Sequence, residues 1–261
     1  MYERKFVKDL TFDDSFEKFG FERRRLFKDK SLKFYQPKES NNQIVILPPV
    51  YEPELVNNKL CWKSFGIVLY RHIGVTPDND EFPCVKLMLK QKCPFCERYS
   101  VLPDPEEKRI YKPQMRGCLW VVDVSSREAE AEGAKLWVFS WAKETFLSFK
   151  KAMTDRKTQT IHNIFKEPRI FYFDMIERGE GKFRSMQVFA PELGDKIIEE
   201  AKYRRWLEGV KPFMEIINFP TEDELEVFFQ YGAEDDVGLP ATNYDNYIGE
   251  PPDEDFDPEA L

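Results

Sequence analysis

The chain has no apolar run approaching the about 20 residues that a membrane helix needs. It has only two histidines, and no lysine or arginine anywhere from Thr221 to Leu261. The first lack argues against membrane insertion. The opening Met1-Tyr2-Glu3-Arg4-Lys5 leads into no hydrophobic signal segment, so secretion is not expected either. Cysteine is scarce and odd in number, five residues, and three of them fall close together. That distribution argues against a disulfide framework and for a reducing cytoplasm in which thiolates serve as ligands. A complete phosphate loop is missing too, because Gly179-x-Gly181-Lys182 lacks the full spacing and Phe183 stands where Ser or Thr is required. No internal repeat is found.

What is present suffices for a packed core: 42% of the residues are hydrophobic, and 23 are Phe. The formal net charge of −8 conceals a division along the chain. From Thr221 to Leu261 there are 14 acids and no base, so residues 1–220 hold 33 acids against all 39 bases. A body of +6 carrying a Pro-containing end of −14 is the asymmetry of a polyanion-binding domain with its own internal competitor. A solubilising tail on a mildly basic domain is the plainer alternative.

The three grouped cysteines point to a metal site. His72, Cys84 and the Cys93-Pro94-Phe95-Cys96 turn offer one imidazole and three thiolates within 25 residues. A Cys-x-x-Cys loop brings both sulfurs to one side of the backbone, and four such ligands make the closed tetrahedral shell of a structural Zn2+. A redox pair following a strand would not need His72 and Cys84 nearby. Cys61 is open as a replacement for His72, giving a four-cysteine site; His72 is favoured because it follows the strand-like Ile67-Val68-Leu69-Tyr70, where an exposed turn can aim its ring at the loop. Catalytic zinc of the deaminase kind is not expected, since Ile73 and Gly74 follow His72 in place of the His-x-Glu motif.

The chain divides into an N-terminal arm (1–30), a core (31–220) containing a zinc subdomain at about 72–100, and an acidic, largely disordered tail (221–261). The arm mixes isolated Phe with Arg23-Arg24-Arg25. In the core, Leu32–Tyr35 and Gln43–Leu47 read as paired strands around Ser40-Asn41-Asn42, and Phe65–Tyr70 as another. A short helix is expected just after Cys96. Leu119–Val124 and Leu136–Phe139 read as a hairpin with a polar connection, and Ser140 as the cap of a helix through Phe146, Phe149 and Met153. Arg169–Ile176 and Phe183–Phe189 read as a second hairpin, Pro191–Leu207 as a helix, and Thr221-Glu222-Asp223-Glu224 as a capping box opening a last helix through Phe228 and Phe229. Mainly β with α, this pattern fits an OB-fold, a small Greek-key barrel, with an inserted zinc-binding subdomain and peripheral helices; an SH3-like barrel or small sandwich gives a similar pattern.

Between Lys86 and Arg116 the bases are interleaved with aromatics. Lys90, Lys92, Arg98, Arg109, Lys112 and Arg116 can track phosphates while Tyr99 and Tyr111 stack on unpaired bases, the two features that single-stranded nucleic acid requires. The chain here resembles the single-stranded DNA-binding (helix-destabilising) protein family of T-even-like bacteriophages, over about residues 30–190 and more weakly in the tail. The ligand order His72, Cys84, Cys93-Pro94-Phe95-Cys96 carries it, with Leu32-Lys33-Phe34, Gln43–Pro48 and Val121-Val122-Asp123 as family-like strands. The resemblance implies a non-enzymatic protein of the bacterial host's cytoplasm that coats single-stranded DNA during replication, recombination and repair. It also implies cooperative self-association on DNA and contact with phage replication and recombination proteins through the tail residues Asp253, Glu254, Asp255, Phe256 and Asp257. This chain departs from the family in having Met115-Arg116 in place of an aromatic pair, and in lacking Ser or Thr after Arg4-Lys5.

Two other classes compete. A zinc-stabilised protein-interaction module explains the metal ligands and the acidic tail but not the interleaving of bases with rings. A nuclease needs clustered carboxylates, whereas the acids here fall mainly in loops and the tail.

Overall fold

The computed structural model describes residues 26–29, 31–50, 65–73, 75, 81–155, 157–178 and 185–234. The arm before residue 26, Cys61, the turn at 179–181 and the tail residues Asp253 to Asp257 lie outside them. Seven strands form one antiparallel sheet, β1 (Asn42–Leu47), β2 (Ile67–Ile73), β3 (Glu81–Pro83), β4 (Gln114–Asp123), β5 (Lys135–Phe139), β6 (Arg169–Arg178) and β7 (Ser185–Ile197), in the order β3-β2-β4-β1-β6-β7 with β5 beside β4. Among the described residues no pairing joins the two ends, so the sheet is open.

The long β4 organises it. Its Gln114–Cys118 half pairs with β2, its Trp120–Asp123 half pairs with β1, and β5 pairs with the middle. Residues 115–122 of β4 are buried without alternation, because both faces are covered. One face, with Leu47, Leu69, Trp120 and Val122, packs against Tyr203 and Trp206 of α6 (Glu200–Leu207) and Phe213 and Ile216 of α7 (Phe213–Ile216). The other, with Ile46, Leu119, Val121 and Trp137, packs against Phe146, Phe149 and Met153 of α5 (Ala142–Met153). Phe149 lies with its ring centroid 5.1 Å from Phe171 and 6.1 Å from Trp137, both edge-on. Burying such a side chain contributes about 1.5–3 kcal/mol.

Several expectations need correction. Leu32–Tyr35 does not pair with β1, whose edges are taken by β4 and β6; it meets β5 instead, through one parallel bridge between Phe34 and Leu136. The polar connection between β4 and β5 contains a short helix, α4 (Arg127–Ala131), capped by the Ser126 hydroxyl, which accepts from Ala129 N–H. α5 starts from Trp141 in a left-handed conformation (φ 54°), and Ser140 does not cap it. The helix read over Pro191–Leu207 begins only at Glu200. Before it, β7 continues to Ile197 on the outer side of β6, an edge that tolerates Pro191, and the ladder shifts register twice.

Candidate metal centre

β2 does not end before His72, as the exposed-turn expectation requires, but runs to Ile73 because β3 pairs with it, setting His72 opposite Phe82. His72 is therefore buried inside a strand. Cys84 follows β3 and begins α1 (Val85–Leu89), its amide donating to Tyr70 O at 2.8 Å. Cys93 begins α2 (Pro94–Val101), with Pro94 in the first helical position, and Cys96 sits in the first turn. The helix expected after Cys96 thus starts two residues before it, since proline's fixed φ suits that position.

These turns bring all four ligand atoms within 4.8 Å of one another, each residue buried. Cys84 Sγ lies 3.3 Å from Cys96 Sγ, and His72 Nε2 lies 3.4 Å from Cys93 Sγ and 3.6 Å from Cys96 Sγ. A tetrahedral ion with metal–sulfur bonds of about 2.3 Å sets its sulfurs about 3.8 Å apart. The cluster is close to that size and can hold a metal ion. Cys61 is outside the described residues, and His72 supplies the fourth ligand atom without it.

The protonation of the thiols favours the same conclusion. Contacts from the Cys84 and Cys96 thiols hold Cys93 far below the ordinary thiol range despite its burial. Cys84 is driven far up by its contacts with Cys93 and Cys96 and by burial. Cys96 is helped down by Cys84 but pushed up overall to about 12 by Cys93 and by burial. Three buried sulfurs this close together oppose one another's ionisation, and a divalent cation is the group that lets all three ionise together.

The walls are aromatic. The His72 ring lies 5.6 Å from Phe82 and 5.5 Å from Phe95, and its Nδ1 is buried with no hydrogen-bond partner among the described residues. The capping box forms as expected, with Glu224 N–H donating to Thr221 Oγ1 at 3.3 Å and Thr221 N–H donating to Glu224 Oε2 at 2.7 Å. It starts α8 (Glu222–Glu234), whose Leu225 and Phe228 are buried in one cluster with Cys84, Cys93 and Cys96. Residue-by-residue reading missed this role for Phe228 and Phe229; their signal was an adjacent pair of rings placed just after a helix start.

The candidate nucleic-acid residues are dispersed. Lys86, Lys90 and Lys92 are exposed on α1 and the loop leading to Cys93, and Arg98 is exposed on α2. Arg109, on α3 (Pro105–Tyr111), is exposed and pairs with Glu106 at 2.9 Å, and Lys112 is half-buried. Tyr99 is half-buried with Lys108 Nζ 5.4 Å over its ring, and Tyr111 is half-buried and stacked on Phe95 at 6.4 Å. Arg116 is buried opposite Leu69, its guanidinium donating to Met115 O at 3.2 Å, so it adds no surface cation. Among the described residues no helix is long and apolar enough to cross a membrane. In comparisons with known proteins, no family model and no curated protein matches this chain.

Proposed function

We propose that the chain is a zinc-containing single-stranded DNA-binding protein that coats DNA without regard to sequence, on a sheet of OB type, during phage replication, recombination and repair in the bacterial host. The observation that carries this reading is the way the cluster folds its own connection. Cys84 and Cys93 close an eight-residue excursion whose three exposed lysines, Lys86, Lys90 and Lys92, have no acid between them. Zn2+ suits a donor set of three thiolates and one imidazole, and with four protein ligands it builds structure rather than activating water. Arg98 and Lys112 can add phosphate contacts beyond this loop, whereas Arg109 is paired with Glu106, and binding that rests on phosphate contacts weakens with salt. Partner proteins and cooperative self-association on DNA belong to the same reading.

A titration of oligo-dT, poly-U and duplex DNA at several salt concentrations tests it. Preferential, salt-sensitive binding of the single strands supports the proposal, and equal affinity for duplex and single strands defeats it. A zinc-stabilised protein-interaction module is the second reading, favoured by the internal engagement of Tyr99 and Tyr111. It predicts no polynucleotide binding at all.

A further inference from the structure

With Tyr99 and Tyr111 engaged within the metal subdomain, base stacking needs a ring elsewhere. Three large aromatic side chains among the described residues are exposed: Phe34 at 46%, Tyr172 at 42% and Phe189 at 49%. Tyr172 stands across the β6–β7 ladder from Glu192, and Phe189 from Asp174. Directly opposed residues share a face, so a strand stacked on either ring would bring its phosphates to a carboxylate.

Phe34 has a different setting. From residue 28 to 39 the sequence holds Lys28, Lys30, Lys33 and Lys38 against Asp29 and Glu39. Asp29 is paired with Lys211 at 2.5 Å, and the neighbouring Glu132 with Lys135 at 3.1 Å, so these acids are already countered. Lys33 Nζ donates to the carbonyl of Glu132 at 3.0 Å, a neutral acceptor that leaves its charge for a phosphate. The backbone is fixed on both sides, Tyr35 N–H donating to Leu136 O at 2.9 Å and Leu136 N–H to Lys33 O at 2.8 Å. Phe27 supports the ring from 5.6 Å, tilted by 56°. The result is a half-exposed ring, held in place, with exposed Lys33 next to it in the chain and exposed Lys28 and Lys38 in the same segment.

We propose that Phe34 is a ring on which a base of single-stranded nucleic acid stacks, with Lys28, Lys33 and Lys38 contacting the adjoining phosphates. This rests on the single-strand reading above and adds a second cationic zone to the metal subdomain's. Stacking is tolerant of sequence because every base has a π face.

The test compares full-length wild type, Phe34→Ala, Phe34→Trp and Lys33→Gln in oligo-dT titrations across salt, with metal content and melting temperature as fold controls. Phe34→Ala should weaken binding about 5- to 150-fold with an unchanged salt slope. Lys33→Gln should lower the log-log slope by about 0.7. Phe34→Trp should bind as wild type, and its emission should be quenched by oligo-dT. The proposal fails if Phe34→Ala binds as wild type while the wild type binds well, since the function then stands without this ring. It also fails if the introduced Trp emission ignores the oligonucleotide, or if Phe34→Ala abolishes self-association and leaves affinity per chain intact. A wild type that ignores oligo-dT overturns the function and this site together.

Discussion

Phe82 and Phe228 stack at 5.4 Å with their planes 24° apart, and through them a helix more than 120 residues downstream of Cys96 becomes part of the wall of the candidate metal site. Phe82 is the cross-strand neighbour of His72, and Phe229 meets Phe95 at 5.7 Å, inside the Cys-x-x-Cys turn. Cys84 sits between two short elements, three residues in β3 and five in α1, so its position depends on such contacts. Phe228→Ala should therefore cost about 3–5 kcal/mol in the metal subdomain. Metal release to a chelator should quicken, and amide exchange at 81–101 should rise while β1 and β4 keep their protection. Unchanged release would mean that α8 merely rests on the site.

The ligand set has its own test. His72→Ala and Cys93→Ser should lose the metal, whereas Cys61→Ser should retain full stoichiometry. Structural zinc supplies about 10–16 kcal/mol of apparent binding energy in small finger peptides, so loss of a ligand should unfold this subdomain and spare the sheet. Affinity should fall as acid reprotonates the thiolates. Metal analysis of the three variants decides the matter.

The convergence of His72, Cys84, Cys93 and Cys96 was legible in the sequence because a set of residues that can hold a metal has a residue type and a spacing that packing does not impose. What could not be read was their support. Cross-strand pairing of His72 with Phe82 depends on a three-residue strand too short for any period to reveal. β4 was foreseen only from Leu119, since its first half, Gln114–Cys118, includes a polar residue, a buried Arg116 and Gly117, whose Cβ position is filled by the Phe139 ring. α3 was missed although its signals are local: Asp104 accepts from Glu106 N–H at 2.8 Å, Pro105 opens the helix, acids fill its first turn and bases its last. The helix over Pro191–Leu207 failed for the opposite reason. Leu193 and Ile197 share a helical face, but Leu193 also pairs with Phe171, and completing the sheet outweighed the local period.

Cations and rings in the metal subdomain should separate experimentally. Lys92→Ala should lower the salt slope on oligo-dT by about 0.7. Tyr111→Ala should act mainly through stability, since its ring is packed on Phe95. If Tyr111→Ala weakened binding tenfold with metal retention and melting unchanged, the half-exposed ring would itself be a stacking contact.

Alkaline pH probes the face covered by α6. Burial pushes Tyr203 up to about 12, and its hydroxyl is buried with no hydrogen-bond partner among the described residues. The folded state holds this proton more tightly than the unfolded chain, whose tyrosines titrate near about 10, so stability is intact below pH ~10 and falls as pH rises toward ~12. Tyr203→Phe should flatten that decline. At neutral pH it should stabilise the protein by about 1 kcal/mol, because it removes a polar group that is buried without a partner. Denaturant titrations of both proteins at pH 7 and pH 10.5 measure the two effects, and a destabilised Tyr203→Phe would reveal a partner for the hydroxyl.

The acidic end must be cut with α8 in mind. A chain ending at Glu234 keeps the Leu225 and Phe228 wall but sheds nine acids, Asp253, Glu254, Asp255 and Asp257 among them. A chain ending at Pro220 removes the wall as well. If the acids compete with DNA for the cationic zones, the first truncation should tighten oligo-dT binding at low salt, where tethering makes even weak contacts effective, and the gain should vanish as salt screens both interactions. Its metal content should equal that of the full chain. The second truncation should release metal faster, and any change in its DNA affinity then mixes lost competition with a loosened Lys86–Lys92 loop. Unchanged affinity of the Glu234 truncation across the salt range would leave the acids with a solubilising role, and equal metal retention in both truncations would remove α8 from the metal centre.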